Sequence, residues 1–145
     1  MDYLSSFNIS GSGLTAQKLR MDVISQNIAN AEVTRTLSGS PYRRKMVVLS
    51  SINGDGSFKS ALSKASEVKT GGVQVQSIVE DQSDFVPVYN PNHPDANEEG
   101  YVMLPNVNTA QEMIDMLGAS RAYEANVTAF NATKSMVLKA LEIGR

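Results

Sequence analysis

Histidine is the side chain that most readily moves protons near neutral pH, and this chain carries one, His93, set between Asn92 and Pro94. A general base needs an orienting partner within hydrogen-bond reach. In a turn signalled by Asn90-Pro-Asn-His-Pro94, a solvated histidine is the expected state. Asp95-Ala-Asn-Glu-Glu-Gly100 has oxygen ligands at the first, third and fifth positions of a calcium loop and glycine at the sixth. Its twelfth position is Asn106 rather than a bidentate glutamate, so a turn with solvated carboxylates is expected instead. Arg43-Arg-Lys45 is a short basic cluster. On a strand its members would point to alternating faces, which suits an exposed edge kept from aggregating by charge better than an anion site.

No other chemistry presents itself. The chain has no cysteine, which excludes thiol catalysis, disulfides and thiolate metal sites. Neither a P-loop, a Rossmann glycine pattern nor G-x-S-x-G occurs. Met21, Met113, Met116 and Met136 fall at helical spacing and read as adaptable packing. The expectation is therefore a protein without catalytic, cofactor or metal residues. A net charge of -2, with 15 acidic and 13 basic residues interspersed, gives no electrostatic reason to expect nucleic acid or an anionic membrane. The first ten residues, Met1 to Ser10, lack the basic and apolar regions of a secretory signal. No apolar run approaches the roughly 20 residues of a membrane span.

The elements that would hold any site are distributed unevenly. All five prolines (Pro41, Pro87, Pro91, Pro94, Pro105) lie in the middle of the 145 residues, and both ends are amphipathic. Phe7, Leu14, Met21 and Ile28 recur every seven residues, with Ile24 and Ala31 at the companion spacing of a helical seam. Gly11 and Gly13 each cost about 1 kcal/mol in a helix interior. Either the first helix starts after them, near Thr15, or packing overrides them.

At the other end, Thr109-Ala-Gln-Glu112 has the form of a capping box and Gly144 is a plausible stop. Between them runs the heptad Met113, Met116, Ser120, Tyr123, Val127, Phe130, Lys134, Val137, Leu141. A helix of about 35 residues would span roughly 50 Å, which wants partners along its length. The middle offers strands at Met46–Leu49 and Val73–Gln76, and an edge strand at Phe85–Tyr89 demoted by Pro87. Turns are signalled at Asn53–Gly56 and Gly71–Gly72. Ser57 to Glu67 is polar and without period.

The reading is mainly α: long terminal helices paired as a coiled coil from residues 1–33 and 107–145, with a small β-hairpin or extended insert at 34–106. Ser25-Gln-Asn-Ile-Ala-Asn-Ala31 resembles the signature with which bacterial flagellar axial proteins close their first helix. Ser120-Arg-Ala-Tyr-Glu-Ala-Asn126 and Asn131-Ala-Thr-Lys-Ser-Met136 are similar to their final helix. With Gly100-Tyr-Val-Met-Leu-Pro-Asn-Val-Asn108 and the short length, the chain resembles the basal-body rod family, and within it the proximal rod. Ile52 to Glu67 matches that pattern poorly.

The resemblance implies a structural subunit of the flagellar basal-body rod, assembling helically around the export channel and transmitting torque to the hook. It implies partners among other copies, other rod proteins, the adaptor at the MS-ring and export gate, and the distal rod. It also implies export by the flagellar type III apparatus without a cleaved signal, and residence in the periplasm-spanning rod. Asn27, Ala29 and Asn30 would form the signature turn. The expected seam, between subunits or within one, sets Leu14, Met21, Ile24 and Ile28 against Met113, Met116, Tyr123, Val127, Phe130, Val137 and Leu141. The competing reading is a cytosolic coiled-coil adaptor that tethers partners through its terminal helices.

Overall fold

A computed structural model describes residues 3–52 and 71–143 of the chain. The turn expected at Asn53–Gly56, the polar tract Ser57–Glu67 and the stop at Gly144 lie outside the described residues. Helix α1 covers Tyr3–Ala29 and helix α2 covers Thr109–Ile143. Between them lie β1 (Lys45–Ser51), β2 (Val73–Glu80), β3 (Val86–Tyr89) and β4 (Tyr101–Leu104). Two long helices at the ends and a β insert in the middle agree with the order read from the sequence.

α1 runs straight through Gly11 and Gly13, so packing overrides their poor propensity. The reason is visible at Gly13, where a Cβ would stand 3.1 Å from the Asn126 side chain of α2. Gly11 has open space around it, with nothing within 4 Å of such a Cβ. Gly11→Ala is therefore expected to stabilise the purified chain by about 1 kcal/mol, while Gly13→Ala gains nothing. Urea midpoints check this, and a less stable Gly11→Ala chain would contradict it.

Past Ala29 the helix stops in a turn: the Asn30 backbone N–H and its Nδ2 both donate to the Gln26 carbonyl, at 3.1 and 2.7 Å. Asn30 thus bonds locally to backbone, as asparagine readily does where a helix ends. Asn27 and Ala29 belong to the helix itself, not to the turn. At the start of α2 the cap is one residue earlier than the capping-box reading. Asn108 Oδ1 accepts from the N–H groups of Ala110 and Gln111 at 3.1 and 3.3 Å, and the Asn108 carbonyl accepts the first helical bond, from Glu112. Glu112 is released from capping and turns inward.

β1 and β2 pair antiparallel, with Met46 opposite Val79 and Ser51 opposite Val73, and a register shift between Val48 and Leu49. β3 and β4 form a second antiparallel pair, Val86 opposite Leu104 and Tyr89 opposite Tyr101. β4 was not expected as a strand. Gly100, at φ +82°, turns the chain into it, and a Cβ there would meet the Tyr89 ring at 2.9 Å. The β1–β2 pair lies against α1, where Ser12 Oγ accepts from the Val73 N–H at 3.1 Å. α1 is thereby held on one side by α2 and on another by the hairpin. That is why four of the nine buried residues among those described, Ala16, Val23, Ile24 and Asn27, sit on it.

Candidate functional site: helix seam and polar clasp

Three contacts fix the helix pair. Asn27 meets Glu112, Gly13 faces Asn126, and the rings of Phe7 and Phe130 stack edge-to-face with centroids 4.9 Å apart. The helices are therefore antiparallel, and α2 buries one stripe along its length. Glu112, Met116, Ala119, Tyr123, Asn126, Phe130, Thr133 and Val137 are buried or half-buried, at alternating spacings of four and three. Met116, Tyr123, Phe130 and Val137 make one column of it.

Its companion column is shifted by one residue, about 100° around the helix. Glu112, Ala119, Asn126 and Thr133 occupy it, in place of Met113, Ser120, Val127, Lys134 and Leu141. Met113 is 56 % exposed and Leu141 66 %, whereas Val127 remains half-buried at the flank. On α1, Ile24 is buried, and Leu14, Met21 and Ile28 are half-buried. The most enclosed positions beside Ile24 are Ala16, Val23 and Asn27. Large apolar side chains do not by themselves mark the stripe that faces α1, for a physical reason. An alanine allows close approach, and polar side chains enter a seam when their partners are already there.

Those partners make a clasp at the end where α1 stops and α2 starts. Asn27 is 1 % exposed and fully satisfied. Its Nδ2 donates to Glu112 Oε2 at 2.9 Å and to the Lys45 carbonyl at 2.8 Å. Its Oδ1 accepts from the Lys45 N–H at 2.9 Å and from the Tyr42 hydroxyl at 3.0 Å. A helix side chain thus pairs with both backbone groups of Lys45 as a neighbouring strand would.

Glu112, also 1 % exposed, receives Arg44 Nε at 2.6 Å on its other oxygen. The Arg44 guanidinium reaches on to Asp115 at 3.4 Å and Asp81 at 3.9 Å. The Arg44 N–H donates to Asn106 Oδ1 at 2.8 Å, and Asn106 Nδ2 donates to the Asp81 carbonyl at 3.1 Å and to Ser83 Oγ at 2.8 Å. One network therefore joins α1, the entry to β1, the exit from β2 and the start of α2.

Arg44 is the ion-pair partner of a buried carboxylate, which corrects the reading of Arg43–Lys45 as charges on an exposed edge. Arg43 lies 4.4 Å over the Phe85 ring and donates to the Asp81 and Ser83 carbonyls. Burial, then the negative charges of Glu112 and Glu80, push the Tyr42 phenol above its ordinary 10.0. It stays neutral and able to donate, and its contribution to stability fades only as pH rises past about 10. Asp81 shifts the other way, held below the usual carboxylate range first by the Ser83 N–H, then by the Ser83 hydroxyl, and further by Arg44 and Arg43. What it contributes is present above the ordinary carboxylate range and lost as pH falls through its lowered value.

The other residues with chemical potential have structural partners. The Asp95 carboxylate accepts from Thr34 at 2.9 Å and pairs with Arg35 at 3.7 Å. Asn97 Oδ1 accepts from the N–H groups of Glu99 and Tyr101, shaping the turn into β4. His93 Nδ1 accepts the Asp95 N–H at 3.1 Å. Of the calcium-like run, Asp95 is thus held by Thr34 and Arg35, and Asn97 by its own turn. Among the described residues no helix is long and apolar enough to cross a membrane.

Sequence comparison agrees with this layout. The profile of the flagella basal body rod protein matches residues 7–35, and that of the flagellar basal body rod FlgEFG protein C-terminal matches residues 98–143. The matched stretches are α1 with its closing turn, and β4 with α2. Over the full length of both chains, the sequence is 53 % identical to the flagellar basal-body rod protein FlgC of Bacillus subtilis. It is 45 % identical to that of Borreliella burgdorferi, over 99 % of this chain and 98 % of that one. The FlgC of Escherichia coli O157:H7 is 41 % identical over the whole of both.

Proposed function

The chain belongs to the FlgC family of flagellar basal-body rod proteins, and from that premise we propose that it works as a load-bearing subunit of the proximal rod, without catalysis. The observation that carries the mechanism is exposed apolar surface at both ends of α2. Met113, Ile114 and Leu117 near its start, and Met136, Leu138 and Leu141 near its end, are each more than half exposed. Two such clusters on one helix are what contacts with further subunits would cover.

In this reading, residues 1–33 and 107–145 form a coiled-coil inner domain and 34–106 an outer insert. The antiparallel contacts and the alternating stripe on α2 support it. The seam residues divide their work. Ile24, Met116, Tyr123, Phe130 and Val137 serve the pairing within the subunit, while Met113 and Leu141 serve contacts between subunits. Torque crosses from insert to helices through the clasp, since Arg44 and Asn27 tie the root of the β1–β2 hairpin to both. Other copies, other rod proteins, the MS-ring and export-gate adaptor and the distal rod are the proposed neighbours. The flagellar type III apparatus is the proposed exit, without a cleaved signal. The cytosolic adaptor reading has no comparable support, because the relatives matching the whole chain are rod proteins.

The test is fractionation. A tagged chain restoring swimming to cells that lack their own copy should co-purify with hook–basal bodies. Swimming restored by a chain found only in the cytosol would remove the rod reading.

A further inference from the structure

In an antiparallel pair, residues directly opposite one another share a face, and so do alternate residues along each strand. Pro87 stands opposite Met103 and Tyr89 opposite Tyr101, so these four side chains make up one face of the β3–β4 pair. All are exposed, Tyr89 by 65 %, Met103 by 45 % and Tyr101 by 41 %. The Tyr89 ring is nevertheless fixed. It meets the Tyr101 ring edge-to-face with centroids 5.4 Å apart, and it lies so close over Gly100 that a Cβ there would stand 2.9 Å from it. A ring already held in place gives up little freedom when something lands on it. Tyrosine and methionine are also among the side chains enriched in binding surfaces.

Charge selects what lands there. Residues 71–120 contain no lysine or arginine, and all 13 of the chain's lysines and arginines lie outside them. Within that stretch Asp81, Glu112 and Asp115 are engaged by Arg44, and Asp95 by Arg35. Asp84, which leads into β3, and Glu98 and Glu99, in the turn before Gly100, are exposed and take part in no ion pair among the described residues. A tyrosine face attracts a cation within about 6 Å of its centroid, and carboxylates beside it strengthen the contact.

We propose that this face docks an extended, arginine- or lysine-bearing segment of a protein other than this chain, with the cation over Tyr89 and beside Glu98 and Glu99. Shape favours an extended segment. At strand spacings the four positions span roughly 7 by 5 Å, narrower than the 10–12 Å diameter of a helix with its side chains. That argues against a second copy as the partner. Outside its two helices, every described cation of this chain is already engaged: Arg35 with Asp95, Arg43 over Phe85, Arg44 in the clasp and Lys45 over the Tyr42 ring.

The purified full chain tests the surface without a rod. Hexa-arginine is titrated into it while the ring resonances of its five tyrosines are followed by NMR. Shifts concentrated on Tyr89 and Tyr101, and absent with hexa-glutamate, are expected. Glu98→Gln together with Glu99→Gln should weaken binding about fivefold, the loss of two exposed charge contacts. Tyr89→Phe should bind as the unmodified chain does, and Tyr89→Ser about threefold more weakly. Shifts of equal size at Tyr42 and Tyr123, or binding unchanged in the glutamine variant, would overturn the proposal. In hook–basal bodies, a photo-reactive benzoylphenylalanine placed at Met103 identifies the segment itself. The expected adduct is with another protein, beside an arginine or lysine. No adduct would overturn the contact, and so would one with a second copy, with a glycan or with a segment lacking a cation. A failed titration leaves the rod reading standing, whereas an unmodified chain missing from basal bodies removes the rod reading and leaves the titration in force.

Discussion

Asn27→Asp should be the most damaging conservative change in this protein, destabilising it by about 4 kcal/mol and more than Asn27→Ala does. The substitution keeps the shape of the side chain and replaces its Nδ2 donor with oxygen. That atom sits 2.9 Å from Glu112 Oε2 and 2.8 Å from the Lys45 carbonyl, so two hydrogen bonds become oxygen–oxygen contacts, one between buried carboxylates. Alanine removes the same bonds without adding the like charge.

Breaking a buried charged network by removing one member costs roughly 3–5 kcal/mol, whereas an unsatisfied buried neutral group costs about 1–3. Lys45 and Tyr42 are half-buried and partly recover by turning to water, so the alanine variant should fall near the lower figure. Against a total stability of order 5–15 kcal/mol, either loss is large. Urea denaturation of the purified variants, followed by circular dichroism, measures both. An aspartate variant that melts at the wild-type midpoint would show that the clasp does not hold the fold together.

Phe130→Asp should separate export from assembly. Phe130 fills the seam against Phe7, and truncating a buried aromatic residue costs about 3–5 kcal/mol. Phe130 is half-buried, which places the loss of packing near the lower figure, and an aspartate facing a phenylalanine ring adds desolvation. Cells carrying the variant are expected to export the chain yet build no rod containing it and fail to swim. Normal swimming would refute the seam.

Met113→Asp is the informative control. Met113 lies on the open side of α2, so the fold should change by no more than about 0.5 kcal/mol. A variant that folds normally and cannot swim then assigns that side of α2 to contacts between subunits. A variant that swims normally would remove Met113 from them.

Seam and clasp were legible in the sequence to different degrees. The Met116–Tyr123–Phe130–Val137 column was readable because large apolar residues at heptad spacing must share a face. Its companion was not, since Ala119 and Asn126 carry no apolar signal of their own. Glu112 was misassigned for a related reason. Beside Thr109 its type fits a capping box, and only Asn108, taking the cap, shows Glu112 free to meet Asn27 and Arg44. The signature segment had marked Asn27 as important, though for a turn. Its four bonds go to residues 15, 18 and 85 positions away along the chain, distances at which local patterns are silent.

By itself, the sequence determined the order of elements and the two long helices. Local rules govern these, through proline placement and heptad spacing. Tertiary structure decided which stripe of each helix faces its partner, and that polar residues close the seam at its clasped end. Those outcomes depend on which groups meet across long stretches of chain. A buried glutamate is tolerable only where an asparagine and an arginine arrive from other elements to satisfy it.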